Sequence, residues 1–115
     1  MKKLSLMAVM LLMLPTLSFA QAHNYKGQIM DSACAKAGNH DAGYKMTGTH
    51  TPKDCTMACV KAGSSLVLYD PTTQTTYKLS NPMKVKHYAG EDVDVKGTLN
   101  QSTQTIRVES IKKAS

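Results

Sequence analysis

The sequence predicts a small, mainly β protein with one helix, and three observations lead to that fold class. The chain has 115 residues, which is enough for one small domain. Its last third alternates apolar and polar residues, which is typical of half-buried strands. One short segment in the middle has apolar residues at helical spacing. A large enzyme with a deep cofactor pocket is excluded by this size.

The first 20 residues differ in kind from the rest, because 14 of them are apolar, against 34 of the last 95. Lys2 and Lys3 precede an apolar stretch, and small residues follow it. This arrangement is typical of a secretory signal peptide, and the stretch is too short for a transmembrane helix. We therefore predict a removed signal peptide over 1–20, with cleavage after Ala20 or alternatively after Ala22. A short segment over 21–23 and a single domain over 24–113 follow. The predicted localisation is periplasmic or extracellular.

The first predicted strand covers residues 24–30. Residues 31–50 are rich in Gly, Ala, His, Asp and Thr, and they predict a long loop with at most a short helical turn. Asp31 and Ser32 have side chains that can cap the start of such a turn.

The predicted helix begins after Thr51, which is a good N-cap, and Pro52 suits the first helical position. A stripe of small residues and cysteines then follows at helical spacing. Its members are Cys55, Ala58, Cys59 and Ala62. Gly63 is the expected end of the helix.

Four further strands are expected after the helix. Residues 65–69 and 75–79 are joined by a turn, and an irregular or single-turn segment covers 81–90. Alternation over 93–99 and from Ile106 onward predicts a final hairpin, with a bulge or bend near Ile111. Five strands of this size can cover their edges by curling into a small barrel. We predict a five-stranded OB-like barrel, and the alternative is an open α+β antiparallel sheet with one covering helix.

The chain resembles a known group in a pattern that covers most of residues 27–111. The pattern is Gly27-x-Ile29-x-Asp31-Ser32-x-Cys34, then Cys55-x3-Cys59-Val60-Lys61-x-Gly63, and then the alternating strands that end at Ile111. It resembles a family of small exported bacterial proteins of uncharacterised function with an OB-like fold. The resemblance implies that fold, and it implies no reaction.

Three cysteines are an odd number for an exported protein. Cys55 and Cys59 are one helical turn apart, about 5–6 Å between Cβ atoms, whereas a disulfide needs about 3.8 Å. An internal disulfide should therefore use Cys34, and closing its loop of about 20 residues contributes roughly 3 kcal/mol. The alternatives are a bound metal and, after it, a bridge between two chains.

The metal hypothesis uses Cys34, Cys55 and Cys59, with His40 or His50 as a nitrogen ligand. Three sulfurs and one nitrogen suit zinc, and copper(I) accepts soft thiolates. Met46 and Met57 would add soft ligands for copper. Cleavage after Ala20 would also place His23 third in the mature chain, where a terminal amine and a histidine bind copper(II).

The rest of the sequence favours a non-enzymatic protein. Residues 21–115 carry 12 basic and 8 acidic residues, a net charge of +4 that is scattered, so nucleic acid is not an expected partner. No nucleophile motif is present. The leading hypothesis is a binding or structural module of the cell envelope, whose partner is a protein or a glycan. A disulfide would link Cys34 to the helix that bears Cys55 and Cys59. The second hypothesis is a small zinc- or copper-binding protein.

Overall fold

The computed structural model describes residues 21–115, so the predicted signal peptide lies outside the described residues. The protein is mainly β, with five strands whose hydrogen-bonded pairs form a closed ring in the order β1-β2-β3-β5-β4. The strands are β1 (His23–Asp31), β2 (Leu66–Asp70), β3 (Thr75–Leu79), β4 (Asp92–Asn100) and β5 (Thr105–Lys113). All pairs are antiparallel except β3–β5, which is parallel. Because the pairs close into a ring, the alternative prediction of an open α+β antiparallel sheet with one covering helix is wrong.

The prediction of one helix is wrong, because residues 31–50 hold two more. The α-helices are α1 (Ser32–Ala37), α2 (Asp41–Thr47) and α3 (Pro52–Lys61), and a 3-10 helix covers Pro82–Tyr88. The two missed helices have only six and seven residues. Helices this short are stable through tertiary packing rather than through sequence propensity. None of the helices in the described chain has the length and apolar character needed to cross a membrane.

The predicted helix ends are confirmed for α3. Thr51 Oγ1 accepts a hydrogen bond from Asp54 N at 3.1 Å, and Pro52 is the first helical residue. After Ala62 the chain turns at Gly63, and Ser64 N donates to Cys59 O at 3.0 Å. Both ends therefore satisfy backbone groups that a helix leaves without partners.

The predicted bulge near Ile111 is also confirmed. Along the β4–β5 pair, Gly97 is opposite Val108 but Lys96 is opposite Ser110, so Glu109 is an extra residue on β5. The extra residue shifts the alternation by one position. Val108 and Ile111 consequently both pack against the interior although three positions separate them.

Buried residues fall into two groups, and β2 contributes to both. The main core is an apolar cluster to which all five strands and the 3-10 helix with its C-cap contribute. Its members are Ile29, Leu66, Leu68, Leu79, Val85, Ala89, Val93, Val95 and Ile106. The second group, which we call the helix-covered layer, lies between the strands and the helices. Its members are Met30, Cys34, Ala35, Cys55, Val67 and Tyr69, with Tyr44 and Cys59 packed against them.

Candidate metal centre

The three cysteines come together in the helix-covered layer, and we call them the thiol cluster. Cys34 lies on α1, while Cys55 and Cys59 lie one turn apart on α3. Their Sγ atoms all lie within 4.8 Å of one another, and Cys34 Sγ is 4.0 Å from Cys55 Sγ. Zinc–sulfur bonds of about 2.3 Å in a tetrahedron place two sulfurs about 3.8 Å apart. The sulfurs are therefore close to the spacing of metal ligands.

The cap of α1 fixes the position of Cys34. Asp31 is the last residue of β1, and its Oδ2 accepts a hydrogen bond from Cys34 N at 3.1 Å. The capping role expected for Asp31 is thus confirmed, although the capped element is a helix rather than a loop. Because β1 ends directly at this cap, the strand determines where the first sulfur lies.

Gly43 is the residue of α2 that lies against the thiol cluster. A Cβ atom added at Gly43 would lie 2.6 Å from Cys55 Sγ and 2.8 Å from Cys34 Sγ. Real carbon–sulfur contacts are longer than this, so any side chain at Gly43 would displace the helix or the sulfurs. The glycine therefore allows α2 to lie directly over two of the three thiols.

His40, just before α2, is held in one tautomer by a chain of hydrogen bonds. Gln28 Nε2 donates to Gly90 O at 3.0 Å, so Gln28 Oε1 faces His40 Nε2, also at 3.0 Å. An amide oxygen only accepts, so His40 Nε2 must carry the hydrogen. His40 is 7% exposed, and its Nδ1 is buried without a hydrogen-bond partner. The neutral ring thus has a buried lone pair on Nδ1.

A second set of potential ligands joins Asp31 and His40 to Cys34. One oxygen of Asp31, one ring nitrogen of His40 and Cys34 Sγ all lie within 4.8 Å of one another. Asp31 is 0% exposed, and its Oδ1 has no hydrogen-bond partner. The ion pairs found within residues 21–115 do not include Asp31. Leaving such groups buried without partners costs free energy, and a cation bound here would offset that cost.

The local environment shifts the pKa values of Cys34, Cys59 and His40 toward their neutral forms. Burial raises the pKa of the Cys34 thiol, and the Asp31 carboxylate and Cys55 raise it further. Burial also raises the pKa of Cys59, again with contributions from Asp31 and Cys55. Burial lowers the pKa of His40, against the opposing effect of Asp31 and Asp41. A metal ion would therefore have to displace protons from Cys34 and Cys59, but none from His40 at neutral pH.

The other histidines proposed from sequence lie elsewhere. His50 is exposed before α3, and His23 is exposed at the start of β1, opposite Gly97. Neither belongs to a ligand cluster within residues 21–115. Of the two methionines considered for copper, Met57 packs against the main core, while Met46 is exposed on α2.

Sequence reasoning did not assign a role at the site to Gln28 or Gly43. Gln28 holds His40 only because Gly90, 62 positions away, orients its amide. No local signal could have shown this. The disulfide of Cys34 predicted from the sequence is not formed in the structure, where the described cysteines are thiols, and it stays a prediction. No protein-family model, curated protein or solved structure matches the chain.

Proposed function

We propose that this is a small metal-binding protein whose ligands are the thiol cluster and His40 Nδ1, and whose ion is zinc or copper. The observation that carries the proposal is the convergence of three sulfurs within 4.8 Å of one another. His40, whose Nδ1 is buried without a hydrogen-bond partner, belongs to the adjoining set through Cys34. Three sulfurs and one nitrogen are a donor set that zinc accepts in a tetrahedron and that copper(I) accepts as a soft ion.

The hydrogen bond between Gln28 and the His40 ring supports His40 as a ligand. Histidines that bind metals usually donate their other ring N–H to a carbonyl or carboxylate oxygen, which fixes the ring. The Gln28 oxygen supplies that acceptor at His40 Nε2. Gln28 is itself oriented by the Gly90 carbonyl. Both features are expected of a ligand that is positioned before the metal binds.

The bound ion would act as a structural clamp. The ligands come from α1, from α3 and from the segment before α2, so one ion would tie all three helices together. A domain of this size has a small apolar core, for which a metal is a common source of additional stability. The order β1-β2-β3-β5-β4 of the closed ring supports an OB-like barrel as the scaffold. The basic and apolar composition of residues 1–20 supports export, and we assign no enzymatic activity.

A second candidate function is an envelope binding module stapled by a Cys34–Cys55 disulfide. The 4.0 Å between those sulfurs supports it, because a small movement of α1 would bring them to bonding distance. An oxidising compartment favours such a bond. Cys59 would then remain as a thiol beside the bridge, and the partner would be a protein or a glycan.

One measurement separates the two candidates. The mature protein is purified from the exported fraction without chelators, its metal content is determined, and the denatured protein is alkylated with and without reductant. Three reactive thiols and about one metal ion per chain are the result expected for a thiolate site. One reactive thiol without reductant, and no metal, would overturn the metal proposal and support the disulfide.

The role of His40 is tested by a matched pair of variants. His40→Gln keeps a group that can bond to Gln28, whereas His50→Gln changes an exposed histidine outside the cluster. Loss of a group that supports a metal ligand costs on the order of 10- to 100-fold in metal affinity, and loss of the ligand itself should cost at least as much. We expect that loss in His40→Gln, measured by competition with a zinc chelator, and no change in His50→Gln. Equal affinities in the two variants would remove His40 from the ligand set.

A further inference from the structure

A cleft of about 480 Å³ lies between α1, α2 and α3 and reaches the thiol cluster. Cys34 and Cys59 border it, among mostly small and apolar residues, whereas Cys55 is fully buried and does not line it. Two of the three cysteines are therefore next to an opening. A metal ion could reach the cluster from this side without unfolding of the helices.

Met46 lies at the same cleft and on the same face of α2 as Gly43. The two are three residues apart, which places them on one side of a helix. Gly43 lies over the sulfurs, and Met46 borders the cleft with 86% of its surface exposed. A large apolar side chain so exposed is unusual within residues 21–115, where Met83 is the other example. The thioether is thus available to a solute near the thiol cluster.

We propose, on the basis of the metal-binding function above, that the cleft is the route by which copper(I) reaches the thiol cluster and that Met46 is its first ligand. A thioether is a soft donor that carries no proton, so it can bind copper(I) at any pH. The ion then passes to the sulfurs of Cys34 and Cys59. Each thiol that binds releases its proton to water, and no electron is transferred.

The donors that line the cleft support copper(I) as the ion that enters there. They are the Met46 thioether and the Cys34 and Cys59 thiols, whereas His40 does not line the cleft. Copper(I) is stable with sulfur donors alone, whereas zinc in structural sites requires four ligands. A thioether is also a poor ligand for zinc, so Met46 should affect the two ions differently.

The experiment follows metal uptake by stopped-flow absorbance on the reduced full-length mature protein. Copper(I) is supplied as its coloured bicinchoninate complex, and zinc is supplied from a chromogenic chelator. Met46→Leu is compared with Met83→Leu, which removes a 62% exposed methionine on the 3-10 helix, away from the cleft. Both changes are at exposed positions, where stability usually shifts by no more than about 0.5 kcal/mol.

We expect Met46→Leu to slow copper(I) uptake about tenfold and to leave zinc uptake unchanged, with Met83→Leu like the wild type. Equal copper(I) rates in wild type and Met46→Leu would overturn the inference while leaving the metal-binding function intact. Slower uptake of both ions in Met46→Leu would also overturn it, since the effect would then be structural. Absence of binding of either ion to the wild type would instead overturn the proposed function itself.

Discussion

The two faces of β2 are both buried, but they are buried in different ways. Leu66 and Leu68 face the main core, an apolar cluster from the five strands and the 3-10 helix. Val67 and Tyr69, the residues that alternate with them, face the helix-covered layer, which also holds the thiol cluster. At the edge of that layer lie Asp31 Oδ1 and His40 Nδ1, both buried without partners.

The difference predicts which region depends on the proposed metal. The main core is stabilised by the removal of apolar surface from water, which needs no further component. The helix-covered layer also holds sulfurs, and Asp31 Oδ1 and His40 Nδ1 at its edge lack hydrogen-bond partners. The cation proposed above would supply interactions to these atoms. The free energy of unfolding should therefore depend on metal through the helix-covered layer alone.

Truncation in the main core should have the largest effect on stability. Ile106 on β5 is fully buried, and Ile106→Ala should lower the free energy of unfolding by about 2–5 kcal/mol. Because Ile106 belongs to the main core and not to the layer that holds the sulfurs, the loss should be the same with and without zinc. Urea unfolding of metal-free and metal-loaded protein measures both values.

Two further variants, a smaller truncation and a surface control, accompany Ile106→Ala. Ile106→Val removes less volume, and its expected loss of about 0.5–1.5 kcal/mol is measurable if Ile106→Ala does not fold. Arg107→Ala, at the exposed neighbouring position, should stay within about 0.5 kcal/mol of the wild type. If zinc removed most of the loss in the Ile106 variants, the two buried regions would be coupled rather than separate.

The main core is also the region that local sequence rules describe well. The alternation of Val93, Val95 and Leu99 needs only a strand with one buried face, so both the strand and its inner side chains could be predicted. Residues 31–50 lack such a pattern. Helix α1 packs against β1 and β2, and α2 packs against α1 and α3. Both helices therefore form for a tertiary reason that local propensity does not contain.

The candidate site was predictable only where local geometry brings its residues together. Cys55 and Cys59 are placed together by helix geometry, and Cys34 was the remaining cysteine that could join them. The position of His40 depends on Gln28 and Gly90, which are distant in sequence. The contact between Gly43 and two sulfurs depends on how three helices pack. Contacts of this kind are absent from any single segment of the chain.

A methyl group at Gly43 should have an intermediate effect and should act on the helix-covered layer alone. Gly43→Ala places Cβ 2.6 Å from Cys55 Sγ and 2.8 Å from Cys34 Sγ. Overpacking of this kind costs about 1–3 kcal/mol, of which the better helix propensity of alanine returns up to about 1 kcal/mol. We expect a net loss of stability together with weaker zinc binding, measured by urea unfolding and chelator competition.

The neighbouring position on α2 provides the control. Ala42 is exposed, so Ala42→Gly reports the helix propensity of α2 without adding volume near the sulfurs. It should lower stability by about 1 kcal/mol and leave the intrinsic zinc affinity of the folded protein close to that of the wild type. A gain of stability in Gly43→Ala with unchanged zinc affinity would show that α2 does not lie against the thiols in solution.

The dependence on pH is the smallest expected effect. A rise in pH should lower the stability of the metal-free protein but raise its affinity for zinc. Folding raises the pKa of Cys34 and Cys59 above the ordinary value of 9.0, so the folded protein holds these protons more tightly than the unfolded chain. The stability that this difference contributes is complete below pH 9 and is lost as the pH rises through the folded values. Zinc affinity should instead rise with pH, by up to about tenfold per unit for each proton released.

Urea unfolding of the metal-free, reduced protein between pH 7 and 10 tests the loss of stability with rising pH. Zinc titrations between pH 6 and 8 test the rise in affinity. Tyr25 and Tyr44 also have a raised pKa, which adds a decline of the same sign at high pH. The double variant Cys34→Ala/Cys59→Ala keeps the effect of burial on both tyrosines and loses the contribution of the thiols, including the effect of Cys34 on Tyr44, so the difference between the two proteins reports the cluster. Identical pH slopes would mean that these thiols are solvated in the folded protein, and the buried cluster would then not exist as described.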